Sequence, residues 1–397
     1  MASILDLPDE CLVMICKKLE YHEQQYWSSV CKRFEYIYFE YFHNWIEVND
    51  DFPLQIINRL HLTESKCTKF FLNKLRDCHK EIEEAKLFSF TDEYLAELLP
   101  LPNLKKLIYV GSSLRGRSLI ELDSLTELHI HSSLSFDPKY LLQITYYNPL
   151  RTFVMPNYPL MFSNRYAFEM FENLKNVEKL VIEFNPCKSW QLVGTLPKLK
   201  KLEIWHFVSD KCDTCLEDHN LYKTCAGQHA MIFFDELRQR NQLEELVLYN
   251  SCVSEQHLLR ISELTNLKRL IFYRSAPMFY LPLDVFKGLV NLKELHLDGC
   301  RLINAKASLE LIRCCKKLKV LLLKSVDGET ADFLKEANYI LSRRQPTPLE
   351  PLTVEFADEY ELLKVSSLPF YVRNSAFRIL SFRSWNGMEC GFDLYEL

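Results

Sequence analysis

The residues best spaced for chemistry are a run of soft ligands: Cys212-x-x-Cys215, then His219, Cys225 and His229. A Cys-x-x-Cys pair followed by Cys-x-x-x-His offers thiolate and imidazole donors that tetrahedral zinc accepts. Cys212, Cys215, Cys225 and His229 are therefore the candidate metal ligands. Their spacing matches no common zinc module, and the competing reading is a polar loop or degenerate repeat whose cysteines are incidental. Covalent catalysis finds less support. No nucleophile elbow, metalloprotease helix or kinase set occurs. With nine glycines in the chain, no phosphate-cradling G-x-G-x-x-G or Walker-type loop is present. The expectation is a protein that is not an enzyme and holds no cofactor.

The elements that must position such residues are set by composition and period. Of 397 residues, 48% are hydrophobic and 25% charged, enough apolar material for a folded core. The net charge of −5 comes without any Lys/Arg run, so neither nucleic acid nor a membrane surface is the expected partner. No apolar run is long enough for a membrane span. The opening MASILDLPDE lacks the charged and apolar regions of a signal peptide, and no Asn-x-Ser/Thr sequon occurs. Fourteen scattered cysteines then suit a reducing compartment, cytoplasm or nucleus, as small core hydrophobes.

An internal repeat runs through most of the chain. The frame L-x-x-L-x-L, with other apolar residues allowed, appears as Leu104-Leu107-Tyr109, Leu125-Leu128-Ile130, Leu150-Phe153-Met155, Val177-Leu180-Ile182 and Leu199-Leu202-Ile204. It resumes as Leu243-Leu246-Leu248, Leu267-Leu270-Phe272, Leu292-Leu295-Leu297 and Leu318-Leu321-Leu323. Weaker copies are Ile82-Ala85-Leu87, Leu349-Leu352-Val354 and Phe377-Leu380-Phe382. Spacings run from 21 to 31 residues, with one of 44. The alternating leucines put one face of a short strand inward. Between frames lie helical stretches, with Asp137-Pro138, Ser254 and Asn304 as expected N-terminal caps. Earlier, Trp45–Val48 reads as a first strand and PLQIINRLHL as a helix behind it. Such units cannot bury their apolar faces alone and must stack. The array resembles the leucine-rich-repeat family, which implies an α/β solenoid with a parallel concave sheet and helices on the convex side.

The first 45 residues differ. Leu7, Cys11, Leu12, Ile15, Cys16 and Leu19 fall at helical spacing, with Pro8 suited to a first turn. Tyr26, Trp27, Val30, Phe34 and Ile37 share a second face. Helices this few bury too little to stand without a neighbour. These residues resemble an F-box. Its opening Leu-Pro-x-Glu is Leu7-Pro8-Asp9-Glu10, its apolar pair is Ile15 and Leu19, and its closing signature is Val30-Cys31-Lys32-Arg33-Phe34. Gln24-Gln25 stand where the family has an apolar residue, with Tyr26 and Trp27 as the nearest substitutes.

The resemblance implies an F-box at 1–45 and a solenoid at 46–397 of about 11–13 repeats, irregular or degenerate at 209–240. It implies the substrate-recognition subunit of an SCF-type ubiquitin ligase, directing a protein target to ubiquitination and proteasomal degradation. Leu7, Pro8, Ile15, Leu19, Val30 and Phe34 are then the contacts to a Skp-family adaptor, and through it a cullin, with Lys32 and Arg33 as rim charge. The competing reading is a leucine-rich-repeat scaffold acting without a cullin. Residues flanking the frame leucines point away from the core, among them Lys106, His129, His131 and His296. Aromatic and Arg side chains there are typical interface anchors, so Trp205, Tyr249, Arg269 and Tyr273 are the candidate target-binding residues.

Overall fold

The structure is a computed structural model of the chain. It describes residues 4, 7–16, 27, 30–34, 37, 46–47, 59–63, 82–99, 101–131, 135–156, 166–183, 190–207, 226–251, 253, 255–273, 283–297, 305–323, 330–343, 352–356 and 377–381.

Each frame becomes one short strand because its alternating apolar residues can be buried on one side only. In all the frames of the central array the three frame positions are buried, as in Leu125, Leu128 and Ile130 or Leu243, Leu246 and Leu248. The chain divides into two compact units, Met1–Leu150 and Arg151–Leu397. The first holds α1 (Asp9–Cys16), β1 (Ile46–Glu47), β2 (Arg59–Thr63), β3 (Glu84–Phe88), α2 (Asp92–Leu98), β4 (Lys106–Val110), β5 (Glu127–His131) and α3 (Pro138–Tyr147). The second holds β6 (Thr152–Met155), α4 (Tyr166–Asn173), β7 (Lys179–Glu183), α5 (Trp190–Gly194), β8 (Lys201–Trp205), α6 (Ala226–Arg240) and β9 (Glu245–Tyr249). It continues with α7 (Glu255–Ser262), β10 (Arg269–Tyr273), β11 (Glu294–Leu297), α8 (Ala305–Cys314), β12 (Val320–Leu323), α9 (Thr330–Ser342), β13 (Leu352–Phe356) and β14 (Phe377–Ser381).

Within each unit the strands pair in sequence order and in parallel. Parallel neighbours need a crossover, and a helix or a 3-10 turn supplies it in most repeats. The fold class is thus α/β, a leucine-rich-type repeat array following an N-terminal helical module. Among the described residues no helix is long and apolar enough to cross a membrane.

Local chemistry explains the helix starts. Asp137 accepts from the Lys139 N–H at 2.9 Å and Pro138 opens α3, as the sequence indicates. Ser254 and Asn304 lie outside the described residues. The polar steps before the strands tie repeats together. Buried Asn148 accepts from Leu125 N at 2.7 Å and donates to Leu122 O at 2.7 Å. Lys198 and Lys317 donate to Asn176 and Asn291 of the preceding repeat at 2.7 and 2.6 Å.

Three expectations change. The stretch read as a helix ends in a strand, because Arg59–Thr63 pairs with Glu84–Phe88. Ile57-Leu60-Leu62 is an additional frame, 25 residues ahead of Ile82. The last two weak frames are re-phased, since Val354 and Phe356 take the register of Leu321 and Leu323. Phe377 and Ile379, not Leu380, take the register of buried Leu352 and Val354. Finally, β8 pairs directly with β9. Among the described residues the connection holds α6, and no strand of the sheet is inserted between β8 and β9.

Candidate functional site

Two surfaces stand out. The first is the N-terminal module. Leu12, Val13, Phe34 and Ile37 form its core, with Leu7, Trp27 and Cys31 packed partly against them. The Trp27 ring stacks on Phe34 at 4.1 Å between centroids. Arg33, read as rim charge, is engaged within the module while its side chain stays 38% exposed. Its guanidinium reaches back to the start of α1, with Nε donating to Asp9 Oδ1 at 2.9 Å and Nη2 to Leu7 O at 2.7 Å. Of the six expected adaptor contacts, Phe34 is 3% exposed and is committed to this core, and Leu7 is half-buried against it. Pro8 and Ile15 are exposed, and Val30 is 68% exposed. Leu19 lies outside the described residues. Exposed Ile4 and Met14 add apolar surface that the motif comparison did not single out. Met14 sits between Val13 and Ile15 in the amphipathic run, which was its one signal.

The second surface is the outward face of β8–β10. Parallel pairing in register sets its side chains in three rows. The last row is Trp205, Tyr249 and Tyr273. Hydrogen-bonded strands lie about 4.8 Å apart, so rings at equal register must stack. Trp205 and Tyr249 have centroids 4.3 Å apart at 20°, and Tyr249 and Tyr273 are 4.8 Å apart at 21°. His206 and Asn250 follow the row with positive φ, and their N–H groups donate to Tyr249 O and Tyr273 O at 2.8 and 2.9 Å. Asn tolerates this left-handed turn well, and it ends each strand at the same level.

The first row is an ionic ladder. Lys201 lies 3.4 Å from Glu245, and Arg269 pairs with Glu245 at 2.6 Å and Glu294 at 2.8 Å. Arg269, expected to meet a target, is thus held by its own neighbours, though 41% of its side chain stays exposed. Between the rows sits Glu203, half-buried, accepting from the Trp205 indole N–H at 2.7 Å. Burial pushes its carboxyl up, opposed by that hydrogen bond. The structure therefore brings Trp205, Tyr249, Arg269 and Tyr273 onto one face.

On β3–β5 the outward face differs from expectation. His129 and His131, read as exposed, are 8% and 1% exposed, and Lys86 is 1% exposed. Burial lowers His131 to about 3, helped by the charges of His129 and Lys86. An outward register position does not guarantee water. Cys212, Cys215 and Cys225 and the side chain of His229 lie outside the described residues. Among the described residues no group of three or more His, Cys, Asp or Glu is placed to hold a metal.

Comparison with known proteins bears on the first surface. Residues 4–37 match the model of the F-box domain. F-box domains in general bind Skp-type adaptors and serve in ubiquitin-ligase substrate recognition. No curated protein matches the chain. Among solved structures, an internalin from Listeria monocytogenes is similar at 15% identity, over 69% of this chain and 82% of that one, with a TM-score of 0.37.

Proposed function

We propose that this chain is the substrate-recognition subunit of a Skp–cullin–F-box ubiquitin ligase. The N-terminal module holds the Skp adaptor, and the β8–β10 face holds a protein target. The observation that carries the reading is the division of labour inside the module. Phe34 and Leu12 satisfy its core, while Ile15, Val30 and Met14 leave apolar side chains exposed. Exposed apolar side chains on so small a unit suit a partner that covers them. The work done is not bond chemistry. Holding adaptor and target on one chain raises the local concentration of target lysines near the ubiquitin-charged enzyme. Cytoplasm or nucleus is the compartment this role requires.

The test is co-purification of the full chain with the Skp adaptor and cullin. Ile15→Asp with Val30→Asp alters exposed positions, so folding is expected to survive. Wild type should bring down both partners and the variant neither, with an unchanged melt. Equal capture by the variant, or none by wild type, would refute the adaptor role. For the second surface, Tyr249→Ala with Tyr273→Ala should weaken target capture while adaptor capture is kept.

A further inference from the structure

We propose that the β8–β10 face reads an extended, arginine-bearing segment of its target, with Glu203 as the residue that determines specificity for the cation. This deepens the target-binding reading and rests on it.

The charges on this face do not cancel. On the outward rows of β7–β11, Glu183, Glu203, Glu245 and Glu294 face Lys179, Lys201 and Arg269. In the first row Lys201, Glu245, Arg269 and Glu294 are paired with one another, and Lys179 stands in register beside Lys201. Glu183 lies 3.1 Å from His206 Nδ1. Among the described residues, the hydrogen-bond donor to Glu203 is the Trp205 indole. A carboxylate has about four acceptor positions, so most of its capacity is left. Glu203 also borders a shallow dent with Lys179, Val181, Lys201, Glu245 and Val247.

Arginine suits this arrangement better than lysine. Its planar fork can meet a carboxylate through two parallel N–H groups. Its flat face stacks on aromatic rings, and Trp205 begins a row of three beside Glu203. Three strands span roughly 10 Å, about three residues of an extended chain. A segment lying along the aromatic row can thus set one arginine at Glu203 and keep neighbouring residues on Tyr249 and Tyr273. Burial disfavours the ionised Glu203, and the nearby charges of Lys179 and Arg269 oppose that without reversing it, so a cation placed directly on its oxygens adds to them.

The probe is a labelled peptide, acetyl-Ser-Arg-Ser-Arg-Ser-Arg-Ser-amide, titrated against the full chain by fluorescence anisotropy. Versions with citrulline and with glutamate in place of arginine are the comparisons. Citrulline keeps the plane and removes the charge. The arginine peptide should bind, and the citrulline version should bind about tenfold more weakly or worse. In the Glu203→Gln chain, which keeps an acceptor for the Trp205 N–H, that advantage should vanish with the melt unchanged. Equal binding of arginine and citrulline peptides, no binding, or full arginine binding by Glu203→Gln would overturn the inference. If Trp205→Ala weakens arginine and citrulline peptides alike, the face remains the target surface and the cation assignment alone falls. If Tyr249→Ala with Tyr273→Ala also captures target like wild type, the surface reading falls too.

Discussion

Arg33 clamps Asp9 across the N-terminal module, with its Nε 2.9 Å from the Asp9 carboxylate and its Nη2 on the Leu7 carbonyl at 2.7 Å. One side chain thus ties the closing signature of the module to the first turn of α1. It also fixes the path of Leu7-Pro8 next to exposed Ile4, whose carbonyl accepts from Leu7 N.

The clamp predicts that lysine will not replace Arg33. A point charge cannot meet the carboxylate and the carbonyl through a fork. The pair itself is half-exposed, 38% and 43%, so its charge attraction is worth at most about 1 kcal/mol. Arg33→Lys and Arg33→Ala should both lower adaptor capture, with similar small losses in the melt of the module. An Arg33→Lys chain that binds like wild type would show that charge alone suffices.

Gly116 should be intolerant of alanine. Its φ is +95°, and an added Cβ would sit 2.3 Å from the Phe136 ring. Phe136 is buried and cannot withdraw freely. Backbone strain plus this clash should cost about 2 kcal/mol or more, read as a lower denaturation midpoint. Adding Phe136→Leu should recover part of the loss, since it relieves the clash and leaves the φ strain.

Acid should destabilise the second unit through His257. Its ring is 3% exposed, at 5.3 Å from the Phe207 ring and 6.0 Å from the Phe234 ring. Burial lowers its pKa from 6.5 to about 4. The folded state therefore binds fewer protons than the unfolded one between those values. The stability it contributes is complete above pH 6.5 and is lost as pH falls toward 4, by about 3 kcal/mol. His257→Phe should flatten that part of the stability-versus-pH curve. Parallel curves for wild type and variant would remove His257 as the cause.

Sequence by itself determined which side of each repeat faces inward. Leucines at i, i+3 and i+5 leave one way to bury a short strand, and residues such as Leu267, Leu270 and Phe272 are fully buried as that pattern requires. The helix start at Asp137-Pro138 was legible for the same reason, since capping is local chemistry. The two separated halves of the N-terminal motif were legible too, as was the alignment of Trp205, Tyr249 and Tyr273 at one frame position.

Only the tertiary structure decided what depends on pairing between distant segments. Residues 59–63 carry apolar spacing compatible with helix or strand, and pairing with β3 selects the strand. A spacing of 44 leaves room for a further strand in the sheet, and the direct β8–β9 register shows that none is inserted there. That register is also what makes Trp205 and Tyr249 touch. Phe34 and Val30 both read as apolar contacts, yet one fills the core and the other stays exposed, because periodicity names a helix face and not what lies against it. Likewise His131 and Glu203 occupy outward positions by pattern. Their burial, and the chemistry it imposes, comes from the surfaces that folding brings around them.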